Sequence, residues 1–297
     1  MGSAVIYKTT GDYASEIKRL YAAYKRADAI LVGAGSGLST SAGLDFAGER
    51  LQKYFGDFVE KYGMKDMYTG CFSPFDSREE RWSYWSRWAW INRYEDIPKD
   101  TLKHLLSLLD GRDYFVLTTN IDHTFLRSGC PKDRLCYTQG DFGLFQCSKP
   151  CHQDTYDNEE MLRAMRASER GMRIDGSTIP HCPKCGREMD FSLYWDHTFV
   201  RDKGWHIAHD RYEEYIAHHS SGKILYLELG VDYNSPGVIK IPFWNMVYSN
   251  PDAVFASVNL TNPSYHSAIA DQSIVISEDI DTVIRDLCRM ASEDQNA

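Results

Sequence analysis

The chain has 297 residues, 43% of them hydrophobic and 25% charged, which is enough apolar material for one large core or two smaller ones and argues against disorder. A formal net charge of -9 with no basic run excludes partners gripped by their phosphate backbone, so no nucleic acid is expected. No apolar stretch approaches the roughly 20 residues that span a bilayer, and the first residues lack the cationic-then-apolar order of a signal peptide.

Ile6 stands where a myristoylation start beginning Met1-Gly2-Ser3 requires Ser or Thr, so no membrane anchor is expected and the protein reads as cytoplasmic. In that setting the eight cysteines read as thiols or metal ligands, not disulfides.

Residues 13–27 place Ile17, Leu20, Tyr21 and Tyr24 at helical spacing, ahead of a first strand. In residues 29–46, AILVGAGSGLSTSAGLDF, Ile30, Leu31 and Val32 run into Gly33-Ala34-Gly35 and then a small polar segment. That order predicts a buried strand, a tight glycine turn and a helix start, with a pyrophosphate held by the turn and the helix N-terminal amides. An ordinary turn would carry the same glycines. Residues 49–95 break the α/β rhythm and read as a helical, Trp-rich insert, with Trp82, Trp85 and Trp88 on one helix face as packing and Ser77 with Glu80 as a capping box.

A helix over 101–109, an exit turn at Asp110-Gly111 and a buried strand over 114–117 follow. The strand ends in Thr118-Thr119-Asn120-Ile121-Asp122, a polar cluster where ligands bind in parallel α/β sheets. An Asx turn is the plainer alternative. Residues 223–229 form another strand ending at Gly230, with Asp232, Asn234 and Ser235 just beyond; residues 253–258 end at Asn259; 273–276 are a short fifth strand and 280–290 an amphipathic helix. The expected fold is α/β: a Rossmann-like parallel sheet with helices on both faces, plus a small domain made of a zinc ribbon and the helical insert. Residues 1–48, 96–140 and 220–297 would build the first, 49–95 the insert and 141–219 the ribbon.

The ribbon is read from Cys147-Ser-Lys-Pro-Cys151 and Cys182-Pro-Lys-Cys185-Gly186, two short-spaced pairs able to put four thiolates on one structural zinc. His152 and His181 flank the pairs as substitute ligands, while Cys71, Cys130, Cys136 and Cys288 read as packing. His206, His209, His218 and His219 read as a solvated helix face and not a second metal site. Trp195, Asp196, His197, Phe199 and Arg201 form either a substrate-facing loop or simple packing.

Taken together, GAGSGLSTSAGLDF, TTNID and the two cysteine pairs resemble the sirtuins, NAD-dependent deacylases and ADP-ribosyltransferases, over residues 30 to about 290. Leu38-Ser39-Thr40-Ser41-Ala42-Gly43 sets the register. The resemblance implies NAD as co-substrate, with Ala34, Gly35, Ser36 and Gly37 on the dinucleotide side, Asp45 and Phe46 in the nicotinamide-side loop, and Asn120 and Asp122 in the ribose and nicotinamide pocket. It places Gly230, Val231 and Asp232 at the family's G-T-S strand end and Asn259 near the adenosine ribose. Where the family has a His base on the nicotinamide ribose, this chain has Gln139, whose amide cannot take a proton near neutral pH; the Arg of the family's P-D-F-R is Ala47, and its Pro is absent.

Deacylation needs that base, whereas transfer of ADP-ribose to a carboxylate needs a positioned acceptor, so Asn120, Asp122 and Gln139 read as the catalytic set of a transferase. The same pattern is similar to the macrodomain-linked microbial sirtuins, which implies a protein substrate related to the lipoylated glycine-cleavage H carrier and a macrodomain hydrolase as partner. A weak deacylase and a non-catalytic NAD sensor are the alternatives.

Overall fold

The computed structural model describes residues 4–233 and 236–295; Asn234, Ser235 and the first three residues lie outside the described residues. The chain begins with β1 (Val5–Ile6), α1 (Tyr13–Arg26), β2 (Ala29–Ala34) and α2 (Ser36–Ser41). The insert follows as α3 (Gly48–Tyr62), α4 (Met67–Gly70) and α5 (Arg78–Arg93), then α6 (Thr101–Leu109), β3 (Tyr114–Thr118), α7 (Thr124–Arg127) and β4 (Leu135–Tyr137). Next come β5 (Gly140–Cys147), β6 (Tyr156–Asp157), α8 (Glu159–Ser168), β7 (Met189–Leu193) and α9 (Lys203–His218). The last part is β8 (Ile224–Leu229), α10 (Lys240–Ser249), β9 (Val254–Val258), β10 (Tyr265–His266), β11 (Ser273–Ile276) and α11 (Ile280–Gln295).

Six strands form one parallel sheet in the order β11-β9-β8-β2-β3-β4. Side chains alternate along each strand, so Ile30, Val32 and Ala34 pack under α1, α6 and α11, while Ala29 and Leu31 join the opposite core with α10. Both faces are therefore covered, as an all-parallel sheet requires. Tyr212 of α9 belongs to the second of these cores, so that helix lies against the parallel sheet although its sequence follows the ribbon.

β6, β5 and β7 form a separate three-stranded antiparallel sheet. It shares one core with the insert: Phe55, Phe58, Trp82 and Trp88 are buried together with Phe142, Phe145 and Phe191. Trp85 is only partly buried, stacked at an angle on Trp82 and Phe191. Ser77 caps α5 by accepting from the Glu80 amide at 3.2 Å. Half of the expected box is replaced: the Glu80 carboxylate accepts from the Asp76 amide (3.3 Å) and from Lys61 Nζ (2.5 Å).

Candidate functional site

The chain leaves β2 for β3 on one side and later returns to lay β8 on the other. Such a reversal opens a crevice beyond the strands' carboxyl ends, and ligands of α/β sheets bind there.

The first glycine segment meets this crevice differently from the sequence expectation. β2 runs through Gly33 and Ala34, and α2 starts only after Gly35. A Cβ on Gly33 would lie 2.4 Å from Ile239 Cγ2, one on Gly35 2.6 Å from the Gly230 carbonyl oxygen, and one on Gly37 2.7 Å from Gly230 Cα. The positive φ, 64°, falls on Gly230 itself. These glycines let two chain segments touch, and the Gly35 and Gly37 amides donate to Leu229 and Gly230 carbonyls at 3.0 Å. The Gly35 and Gly37 amides thus already serve the protein. Ser36 remains exposed, its Oγ 3.4 Å from Asp232 Oδ2.

The cluster after β3 is locked onto this turn. Asn120 donates both Nδ2 hydrogens, to the Gly35 carbonyl (2.9 Å) and to Ser39 Oγ (3.0 Å). Ser39 Oγ in turn donates to Asp122 Oδ2 at 2.5 Å, while Asp122 Oδ1 accepts from the Thr124 amide and hydroxyl. All three side chains are buried. On the far side of the turn, Asn259 Nδ2 donates to the Val231 carbonyl at 3.1 Å, and its Oδ1 accepts from the Thr261 and Asn262 amides. Ala34 to Gly37, Asn120, Asp122, Gly230 to Asp232 and Asn259 are in this way one hydrogen-bonded group.

Gln139 stands at the joint between the two sheets. Tyr137 ends β4, Thr138 donates its amide to the Thr118 carbonyl, and Gly140 starts β5 with φ 95°. A Cβ on Gly140 would come 1.9 Å from the Ser192 carbonyl oxygen, so only glycine lets the chain turn here. The Gln139 carbonyl accepts from the Tyr194 amide at 3.0 Å, and the residue is half-buried. Asp45 is exposed and accepts from the Ala47 amide, while the Phe46 ring meets Trp88 edge-on, 6.0 Å between centroids.

The four cysteine sulfurs lie within 4.8 Å of one another, Cys147 to Cys185 at 3.6 Å and Cys151 to Cys182 at 3.7 Å. A tetrahedron with Zn–S bonds of about 2.3 Å has edges of about 3.8 Å, so the donor set fits zinc. Burial pushes the Cys182 thiol up, but the Lys184 and Cys185 amides and the neighbouring thiols outweigh it and bring it down to about 7. The flanking histidines are not needed: His152 bonds to Tyr156 and the Cys151 sulfur, and His181 to the Ile179 carbonyl.

The same architecture occurs in solved structures. A Sir2 homologue in complex with NAD matches with a TM-score of 0.62 at 12% identity, covering 93% of this chain and 94% of that one. Sir2 bound to an acetylated peptide matches with a TM-score of 0.53 at 17% identity, over 93% and 98%. A protein ADP-ribosyltransferase of Staphylococcus aureus is 34% identical over 278 residues, 93% of this chain and 88% of its own length. The chain belongs to the sirtuin-type protein ADP-ribosyltransferases. A probable bifunctional ADP-ribose hydrolase/ADP-ribosyltransferase of Fusarium oxysporum is 32% identical over 238 residues, 74% of this chain but 38% of that longer protein. No protein-family model matches the chain.

For this family member the structure also adds residues that motif reading passed over. Ser39 had served only to set the register, yet it joins Asn120 to Asp122. Arg50 supplies a guanidinium three residues after Ala47, donating to the Asp45 and Ile91 carbonyls and to Asn92. His123, at φ 55° and 9% exposed, sits 3.3 Å from Asp141, which also accepts from Arg93 Nε at 2.8 Å. The sequence gives no sign of these roles, because each acts through tertiary partners. In the loop after β7, Trp195 packs on Tyr68, Phe72 and Trp88. His206 and His218 are exposed on α9, and the four-cysteine group is the metal cluster among the described residues.

Proposed function

We propose that this protein cleaves NAD to nicotinamide and transfers ADP-ribose to a protein acceptor. The observation that carries the reading is Gln139, an amide at the sheet joint beside the interlocked Asn120, Ser39 and Asp122. When bound, NAD supplies a nicotinamide leaving group and a ribosyl carbon that gains positive charge as the glycosidic bond breaks. Asn120 spends both Nδ2 hydrogens on the protein, so its carbonyl oxygen is the atom left to meet that ribose. Asp122, fixed by three hydrogen bonds, adds a carboxylate in fixed geometry. Gln139 can orient a ribose hydroxyl but cannot take its proton near neutral pH, which disfavours deacylation. A carboxylate acceptor is already ionised at pH 7 and needs no base.

The four cysteines hold a structural zinc in this reading. The acceptor is a lipoylated carrier of the glycine-cleavage H type, and a macrodomain hydrolase reverses the modification. The family resemblance supports both, and the Fusarium relative joins a hydrolase to a transferase in one chain. No helix of the described residues is long and apolar enough to cross a membrane.

The test is to incubate the protein with labelled NAD and with lipoylated and unlipoylated carriers, reading intact mass and free nicotinamide. ADP-ribose should appear on the lipoylated carrier, and Gln139→Ala should lower transfer by about 10- to 100-fold, the scale of lost substrate orientation. Efficient deacylation of acyl-lysine peptides without protein-linked ADP-ribose would overturn the proposal. NAD binding without nicotinamide release would instead identify a sensor.

A further inference from the structure

The buried strand β8, ILYLEL, contains one carboxylate, Glu228, and the buried face of α10 contains one ammonium, Lys240. Both side chains are 0% exposed, with Lys240 Nζ 2.6 Å from Glu228 Oε1. Removing both charges from water costs about as much as their pairing returns, and two apolar residues would pack as well. Stability alone therefore does not account for the pair.

Its neighbours do. Glu228 Oε1 also accepts from Ser257 Oγ at 2.8 Å, and Oε2 is buried without a partner. Lys240 Nζ lies 3.4 Å from Ser264 Oγ and 5.4 Å from the centre of the Tyr233 ring. Tyr233 donates its hydroxyl to Ser264 Oγ at 3.1 Å. Tyr233 follows Gly230, Val231 and Asp232 in the segment after β8, and Ser264 follows Asn259 in the segment after β9. The resemblance puts Gly230 to Asp232 among the NAD-binding residues and Asn259 near the adenosine ribose, and Asn259 already ties the near ends of the two segments together.

We propose that Glu228 and Lys240 are positioning residues for NAD: the buried ion pair clamps the far ends of these two NAD-binding segments through Ser264 and Tyr233. The pair is fully enclosed, so it acts through those segments and touches no ligand. This rests on the NAD reading of the site.

The test measures ADP-ribose affinity by calorimetry, the KM for NAD, kcat and the melting temperature in four variants. Ser264→Ala and Tyr233→Phe each remove one hydroxyl and leave the ion pair in place. Each should lower the melting temperature only modestly and keep kcat, while weakening ADP-ribose binding and raising KM by roughly three- to tenfold, the scale of lost hydrogen bonding. Lys240→Met should lower the melting temperature, because it strands a buried carboxylate. Adding Glu228→Gln to Lys240→Met should restore the melting temperature but leave the affinity roughly tenfold or more below wild type. Restored affinity in that double variant, or unchanged affinity in both hydroxyl variants, would overturn the proposal. Failure of the wild-type protein to bind ADP-ribose would overturn the NAD reading and this proposal with it.

Discussion

His123 shows how much a single side chain can reveal about the site around it. Its left-handed backbone is one that His, Asn and Asp adopt more readily than most residues, and it follows Asp122 directly. Burial lowers its basicity below the ordinary 6.5, the facing Asp141 opposes this, and Arg93 adds to it. The folded protein therefore holds His123 neutral where the unfolded chain takes up a proton. Its contribution to stability is present above pH 6.5 and is lost as pH falls below it, by at most about 1.4 kcal/mol per pH unit. His123→Asn keeps a residue tolerant of the backbone and removes the titration. Urea melts between pH 7 and pH 5 should show a shallower acid loss of stability in that variant than in the wild type.

At the scale of elements, the zinc centre ties the loops of the ribbon together. Cys147 ends β5 and Cys182 is buried in the core shared with the insert, whereas Cys151 and Cys185 are exposed in loops, so metal binding adds to the folding energy of the ribbon. Stripping the metal with a strong chelator should lower the melting temperature, and Cys182→Ser should do the same without chelator. An unchanged melting temperature in both would mean that the core shared with the insert suffices alone. Much of this architecture was legible in the sequence: strands with apolar runs, the cysteine pairs, and α11 with Val283, Ile284 and Leu287 on one face. Three elements were not. β4 is only three residues long, and the β1–β10 ribbon only two pairs. α10 carries Pro242 and has apolar residues around much of its circumference, so no stripe betrays it. The glycine segment misled for a different reason: Gly33 looks like part of a turn, yet it is a strand residue kept small by Ile239 and Phe243. Glu228 within ILYLEL was a visible break in an apolar strand, but its partner lies twelve residues away and only the fold shows it.

Across the whole molecule, the crevice is braced from both ends of the chain. Ser41 at the end of α2 donates to Asp279 Oδ2 at 3.0 Å and accepts from the Asp281 amide at 2.8 Å, so the C-terminal helix holds the turn that carries Gly35. The small lobe is equally composite, since the insert and the ribbon are far apart in sequence and share one core. That sharing has a spectroscopic consequence. Of the chain's seven tryptophans, Trp82, Trp85, Trp88, Trp90 and Trp195 belong to this core, leaving the parallel sheet with Trp205 and Trp244. Intrinsic emission is therefore dominated by one lobe, and Trp88 touches the Phe46 ring at the lobe's edge. Titration with NAD should change that emission saturably, with most of the signal lost in Trp88→Phe and most retained in Trp244→Phe. Such a response would make the tryptophans of the small lobe an optical gauge of ligand arrival.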